Sequence, residues 1–518
     1  MKEYTLTIGS RDELFGAMKD TEISYPDHPE SETEFWEVIG KTIVEQGFTE
    51  PDDIIISDAE GNFAEIEVKF YESESPRPSY KLAKNDFKFL KKSHYDRKCL
   101  RNVDVEKNKK SFYDIVPHNM GPITIDVGAE YGILGTNAVE EGNVTRPFPT
   151  ELYWLKYYQK LSEGYTDETE YIGEGKNPLD FLYGRISTSF SDEDDTAVNL
   201  YRELREDAKD VLSQSFNIDW LSENSPYTTR QIESCWKVFA TLLETVNEKT
   251  VAKAVKKAND CVLKLLKVAS PQLKRGVRVE SFLVKEDTDF DKVKNNIISV
   301  AQDWENRIQA MEAIATKKTE SGEKKLTPFG NVDVRKATAE EFKHMQDLIA
   351  ARCPHKVHML KEVYMLTPYT RKKKYEEALK NSEHKEEREF FHGSLTSNMI
   401  SLISSGGPTI RVSAANGRMF GDGSYWANDF DKSLGYTSYR DSRWANGNSD
   451  YAFMLVGKVH YGKPLIVNSW NDFRDYKKAV EDGNYDCLHA KAGRSLRKDE
   501  IITYDEDHSY VEAILKFA

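Results

Sequence analysis

The sequence predicts a multidomain α+β protein: a mixed N-terminal segment, a small β-rich domain, an all-helical domain, and a C-terminal domain on a largely antiparallel sheet. Three observations predict this. The chain has 518 residues, room for about three to five domains at roughly 100–200 residues each. Its apolar period changes along the chain, from strand-like alternation to helical stripes over 198–315 and back to short strands. Clusters of turn residues and charge separate these stretches.

The segment 1–80 opens on Tyr4-Thr5-Leu6-Thr7-Ile8, which alternates like a strand. Phe35, Val38, Ile39 and Ile43 have helical spacing within 34–46. Ile54-Ile55-Ile56 and 63–70 read as strands joined by an Asp-Ala-Glu-Gly-Asn turn. No chemical motif falls here. Residues 81–110 hold eleven Lys/Arg against four Asp/Glu. That run is either a solvated lysine-rich surface or a phosphate-binding face. Residues 111–116 and 123–127 read as strands, glycines 128, 132 and 135 mark tight turns or bulges, and a helix over 150–161 closes a domain spanning 81–175. The polar stretch 171–197 reads as a long connection.

Between 198 and 315 three stripes alternate with polar positions: Ile232, Trp236, Phe239, Leu243 and Val246, behind a possible capping box at Thr228 and Gln231; Val255, Ala258, Val262, Leu265 and Leu266, ending at Ser270-Pro271; and Phe290, Val293, Ile297, Val300, Trp304, Ile308 and Met311. All three read as core faces. The charged segment 317–325 reads as a linker. The domain 332–518 opens on a helix over 339–351 and continues as strands over 451–460, 464–467, 500–504 and 510–517. Arg371-Lys372-Lys373-Lys374 reads as a helix face rather than a nuclear signal.

Composition excludes several classes. Charged residues make up 31%, and 72 basic against 87 acidic residues give a net charge of −15, so a protein that coats nucleic acid uniformly is excluded. No apolar run reaches the ~18 residues a membrane span needs, and Met1-Lys2-Glu3-Tyr4 does not open a signal peptide. The five cysteines, Cys99, Cys235, Cys261, Cys353 and Cys487, form no CxxC pair, so reduced thiols in an intracellular protein are expected, without zinc fingers.

The chemistry lies near the C-terminus. Phe391-His392-Gly393-Ser394 precedes Gly421-Asp422-Gly423-Ser424-Tyr425-Trp426-Ala427 by about thirty residues. Lys432-Ser433-Leu434-Gly435-Tyr436 and then Asp499-Glu500-Ile501-Ile502-Thr503-Tyr504-Asp505 follow. Alone, each is weak. Gly421-x-Gly423 lacks the third glycine and the strand-before, helix-after setting of a dinucleotide fingerprint. Adjacent His392 and Ser394 do not form a nucleophile–base triad.

In this order and spacing the four blocks resemble the catalytic domain of the poly(ADP-ribose) polymerase family, over roughly 335–518. Trp426 stands where Phe is commoner, and Ile501 follows the glutamate where Tyr is common. The resemblance implies an antiparallel-sheet ADP-ribosyltransferase domain that cleaves NAD at the nicotinamide–ribose bond through an oxocarbenium-like transition state. It implies that His392 holds the adenosine ribose, that Gly393 and Ser433 hold the nicotinamide carboxamide, and that Tyr425 and Tyr436 stack on the nicotinamide ring. Glu500 would bind the nicotinamide-ribose 2′-hydroxyl and stabilise the developing positive charge. His392, Tyr425 and Glu500 are thus the expected catalytic set. Ser394, Asn398 and Arg411 complete the expected cofactor contacts, and Lys432 stands on the acceptor side. NAD is a co-substrate and no metal is implied.

A second resemblance covers 81–175. Leu100-Arg101-Asn102-Val103-Asp104, Asn108-Lys109-Lys110-Ser111-Phe112-Tyr113 and Tyr131-Gly132-Ile133-Leu134-Gly135 resemble a WGR domain, the module in this family that contacts DNA ends. The signature here reads Tyr-Gly-Ile, without the arginine expected at phosphate. The stretch 198–315 resembles the family's helical regulatory domain, whose helices would shield the NAD site. Three activities follow as alternatives: a poly(ADP-ribose) polymerase acting on proteins including itself, a mono-ADP-ribosyltransferase, or a silent nucleic-acid-binding scaffold. The retained Glu500 favours the first. Expected partners are protein acceptors and DNA ends, with no membrane. Expected residence is intracellular, nuclear in a eukaryote in keeping with a DNA-damage role, and otherwise cytoplasmic.

Overall fold

The computed structural model describes residues 2–10, 19–25, 31–48, 51–70, 78–90, 95–120, 123–133, 148–172, 195–214, 227, 229–269, 276–314, 327–410 and 419–518. The chain divides into two compact units, Met1–Gly184 with Leu263–Leu283, and Arg185–Val262 with Val284–Ala518.

The first unit begins with β1 (Lys2–Ser10), β2 (Lys19–Tyr25), helix α1 (Glu32–Glu45), β3 (Pro51–Asp58), β4 (Phe63–Phe70) and β5 (Pro78–Asn85). The strands form one antiparallel sheet in the order β2-β1-β3-β4-β5. Alternation in β1 turns Tyr4, Leu6 and Ile8 into the core. The expected turn at 58–62 forms because the Asp58 carboxylate accepts from the Glu60 and Asn62 amides. Then come β6 (Lys98–Asp104), β7 (Lys109–Met120), β8 (Ile123–Ile133), α2 (Tyr153–Ser162), β9 (Thr166–Asp167) and α3 (Thr169–Ile172), with sheet order β8-β7-β6-β9. Strand β5 runs through the boundary expected at residue 80, and the two stretches share one hydrophobic core from Tyr4 to Leu155. Gly40 permits this: a Cβ there would lie 2.5 Å from the Leu155 amide nitrogen, where α1 crosses α2.

The basic run is not a bare phosphate face. Lys84 pairs with Asp86 at 2.8 Å, Lys98 with Asp167 at 3.6 Å, and Arg97 with Asp114 at 2.6 Å. Arg101 is buried against the same Asp114. Tyr131, the first residue of the altered signature, stacks on Tyr113 with ring centroids 6.1 Å apart. Leu134 and Gly135 lie outside the described residues. Residues 263–283 are held in this unit by Lys264 on Glu168 and by the Val279 amide, which donates to Asn108 Oδ1 at 3.0 Å.

The second unit opens on α4 (Thr196–Ser213), and the three stripes fall on α5 (Thr229–Glu244), α6 (Val251–Ala269, its last turns counted with the first unit) and α7 (Phe290–Ile314). In α7, Val293, Ile297, Trp304, Ile308 and Met311 are fully buried. Thr228, Ser270-Pro271 and the 317–325 linker lie outside the described residues. There follow β10 (Val332–Lys336), α8 (Ala339–Ala350), β11 (Leu360–Pro368), α9 (Tyr369–Asn381), β12 (Glu387–Gly393), α10 (Met399–Ser404), β13 (Ser424–Trp426), α11 (Phe430–Leu434), β14 (Ala452–His460), β15 (Pro464–Val467), α12 (Tyr476–Asp482), β16 (Cys487–Ala490), β17 (Glu500–Thr503) and β18 (Ser509–Phe517). Thr338 and Glu341 cap α8 reciprocally.

Two sheets result, β10-β11-β18-β14-β12 and β13-β17-β16-β15. They are antiparallel except that β15 and β16 run parallel. A bridge between Phe391 and Ala427, with N–H···O distances of 2.8 and 2.9 Å, ties β12 to the end of β13. The 371–374 run lies on α9, with Arg371 turned inward: its guanidinium donates to the Ser509 and Pro408 carbonyls and to Glu506. The five cysteines are free thiols. Among the described residues, no helix is long and apolar enough to cross a membrane.

Candidate active site

The four sequence blocks converge on one cavity of about 490 Å3. That volume is in the range of small-molecule sites. His392, Gly393, Ser394, Asn398, Tyr425, Lys432, Ser433, Tyr436 and Glu500 all line it. Arg411, together with Gly417 and Arg418, lies outside the described residues.

Each side chain is held for a local reason. His392 ends β12, one residue past the Phe391–Ala427 bridge. Its Nδ1 donates to the Tyr425 carbonyl at 2.8 Å, and its ring leans on Trp426. That bond places a proton on Nδ1 and fixes the orientation of the ring. Gly393 lies so close to α11 that a Cβ would come within 1.9 Å of the Ser433 carbonyl oxygen, so only glycine fits and its backbone faces the cavity bare. Ser433 sits on α11, capped by the Asp429 carboxylate, and its hydroxyl donates to the Phe391 carbonyl at 3.2 Å. Asn398 donates to the Ser394 hydroxyl at 3.0 Å. The Tyr425 hydroxyl accepts from the Phe420 amide and donates to the Gly421 carbonyl, which pins its ring edge. Tyr436 packs against Trp444 with planes 24° apart.

Glu500, 5% exposed, opens β17 and meets Lys432 Nζ at 2.7 Å. Burial raises the Glu500 pKa, and the adjacent ammonium only partly offsets it. Burial likewise lowers the Lys432 pKa against the pull of Glu500. Burial and the Glu500 charge together push Tyr436 up to about 12. Lys432 also donates to the Lys498 carbonyl at 2.9 Å, while Lys498 Nζ bridges Asp429 and Asp431.

The remaining wall comes from α5 and α7. Trp236, Gln302, Asp303, Glu305, Asn306 and Glu312 line the same cavity. The Ser401 hydroxyl donates to Glu312 at 3.0 Å, joining α10 to α7. Sequence reasoning assigned α7 by its apolar stripe and assigned nothing to its polar face. The only signal was the polar character of positions between the stripe residues, which every surface helix shares.

The family model described as the poly(ADP-ribose) polymerase catalytic domain matches residues 339–512. Over 162 residues, 30% of this chain, the sequence is 28% identical to a poly(ADP-ribose) polymerase-like protein of Invertebrate iridescent virus 6, covering 83% of that protein. The chain is an NAD+ ADP-ribosyltransferase. The cavity fits the domain's co-substrate: a bare glycine backbone and a buried serine hydroxyl lie beside two tyrosine rings and a buried carboxylate. Among the described residues, no group of three His, Cys, Asp or Glu side chains is arranged to hold a metal ion.

Proposed function

We propose that this enzyme transfers ADP-ribose from NAD to proteins, itself included, releases nicotinamide, and extends the product into poly(ADP-ribose). The observation that carries the reading is the buried Glu500–Lys432 pair on the wall that also presents Gly393 and Ser433. NAD bound here supplies the labile nicotinamide–ribose bond. Gly393 and Ser433 hold the carboxamide, Tyr425 and Tyr436 flank the ring, and His392, Ser394 and Asn398 hold the adenosine side. Glu500, as a carboxylate in a water-poor pocket, accepts from the ribose 2′-hydroxyl and stabilises positive charge as nicotinamide departs. Lys432 keeps that carboxylate ionised and oriented. The same carboxylate activates an incoming hydroxyl, which permits elongation.

Helix α7 forms a cavity wall with Asp303, Glu305 and Glu312. That supports a regulatory reading: the helical segment opposes entry of the anionic dinucleotide until a signal loosens it. For 81–175 we propose contact with DNA ends. The committed cations and the Tyr-Gly-Ile signature make that contact weaker than in a full WGR module.

Incubation with labelled NAD, with and without broken DNA, beside Glu500→Gln tests the reading. A DNA-stimulated smear lost in the variant is expected. A discrete, DNA-independent band would make this a mono-ADP-ribosyltransferase. Hydrogen exchange over 198–315 that no activating ligand changes would remove the gating role.

A further inference from the structure

Glu500 is the first residue of β17, paired across the sheet with Ala490. Sheet pairing ends there, and the loop 491–499 delivers the carboxylate. The two residues before Glu500 are pinned in different directions. Lys498 reaches Asp429 and Asp431 at the start of α11, at 2.7 and 3.0 Å. Asp499 turns to β16, where its Oδ2 accepts from His489 Nε2 at 2.9 Å and its Oδ1 accepts from the Ala492 amide at 2.7 Å. His489 is 4% exposed. Its Nδ1 lies 2.7 Å from the hydroxyl of Tyr461, the residue after β14. Nε2 donates to the carboxylate, and in the neutral ring Nδ1 accepts from the Tyr461 hydroxyl. Both ring nitrogens are thus engaged.

The charges facing this network agree. Burial lowers the His489 pKa, against the pull of Asp499. Burial would raise the Asp499 pKa, but the Ala492 amide, His489 and Lys491 outweigh it. Lys491 Nζ stands 3.6 Å from Asp499, and Arg388 lies over the Tyr461 ring at 3.7 Å. None of His489, Tyr461 or Asp499 lines the cavity. Any effect they have on the reaction passes through the residue next to Asp499.

We propose that His489, held by Tyr461 and acting through Asp499, is a positioning residue that aims the Glu500 carboxylate at the nicotinamide ribose. The inference rests on Glu500 acting as described above. A buried His–Asp bond one residue from a reacting carboxylate fixes backbone direction where the sheet no longer does. Misplacement by about 1 Å at such a group can cost on the order of 100-fold in rate.

The test measures NAD turnover by the full chain, with the ratio of protein-bound label to free ADP-ribose, in wild type, His489→Leu, His489→Gln, Glu500→Gln and His489→Leu/Glu500→Gln. His489→Leu should lower kcat by roughly 10- to 100-fold. KM for NAD should stay within about threefold, because the contacts to NAD remain. The product should shift toward free ADP-ribose, a change that loss of folded protein does not produce. His489→Gln, which offers an amide donor near the place of Nε2, should recover most of the rate. In the Glu500→Gln background His489→Leu should cost little more. If His489→Leu does not fold, Tyr461→Phe keeps the ring volume and should show the same product shift at smaller amplitude. Unchanged turnover in folded His489→Leu or no product shift in Tyr461→Phe overturns the proposal. So does a loss that multiplies in the Glu500→Gln background. Full transfer by Glu500→Gln alone instead removes the role of Glu500 itself, and this inference with it.

Discussion

Each unit buries a carboxylate against a cation, and the two pairs behave in opposite ways. In the N-terminal unit Asp114 is 2% exposed and faces two guanidiniums, Arg97 and Arg101. Burial would raise the Asp114 pKa, but the two arginines outweigh it and hold the group below the usual carboxylate range. Burial would lower the Arg101 pKa, and Asp114 raises it instead. In the catalytic domain Glu500 faces the single ammonium of Lys432, and burial prevails on both partners. A buried charge matched twice is a structural clasp. One matched once keeps unsatisfied capacity, and a substrate hydroxyl can take it up. Arg101, part of the basic run that reads either as a solvated surface or as a phosphate-binding face, is thereby spent on the fold.

The comparison breaks most readily at Asp114. Asp114→Asn removes the carboxylate charge that pairs with the buried Arg101 and the half-buried Arg97, and should cost about 3–5 kcal/mol of stability in the first unit. Denaturant unfolding read from that unit's tryptophans measures it, and a loss below about 1 kcal/mol would end its reading as a clasp. At Glu500 the expectation reverses. Glu500→Gln should leave the melting temperature nearly unchanged while lowering transfer by about 100- to 1,000-fold, or about 2.7–4 kcal/mol. A large drop in melting temperature would make the pair structural too.

The pH dependence sharpens the contrast. Asp114 has a depressed folded pKa, so its contribution is present above the ordinary value of 3.8 and is lost as pH falls through the folded value. Glu500 has a raised folded pKa, so its contribution is present below 4.5 and is lost as pH rises through the folded value. In the role proposed for Glu500, transfer needs the ionised carboxylate. The acid limb of the rate profile should therefore lie above 4.5 and disappear in Glu500→Gln, and a limb at or below 4.5 would contradict this.

The smallest effect is expected at Asp207 on α4. Burial, then Asp210 and Glu203, push it to about 6 against a bond from Tyr451 in the catalytic domain. Ionised at neutral pH, it opposes docking of the helical segment. Asp207→Asn should stabilise that docking by on the order of 1 kcal/mol at pH 7 and not at pH 4. Slower hydrogen exchange over α4 at pH 7 alone would show it, and equal exchange at both pH values would not fit.

Much of the fold was legible. Strands over 464–467 and the core of 452–460 follow from apolar runs bounded by Gly and Pro, and α7 from its 3.6-residue stripe. Strand β16 was not legible because Cys487-Leu488-His489-Ala490 is buried on both faces and does not alternate. Of the site, the glycines and motif side chains could be read by residue type and spacing. His489 and Asp499 could not, because a lone His and a lone Asp ten residues apart carry no pattern until β16 and β17 pair.

The sequence by itself determined which groups are expected at NAD: the family resemblance picks out His392, Gly393, Tyr425, Ser433 and Glu500 by residue type and order, and all five line one cavity. The tertiary structure alone decided which charges are available. It committed Arg97 and Arg101 to Asp114, matched Glu500 with one cation, and turned the polar face of α7 onto the cavity. The physical reason is that residue type sets what a group can donate or accept, whereas desolvation and the number of partners within about 3 Å set what it has left to give.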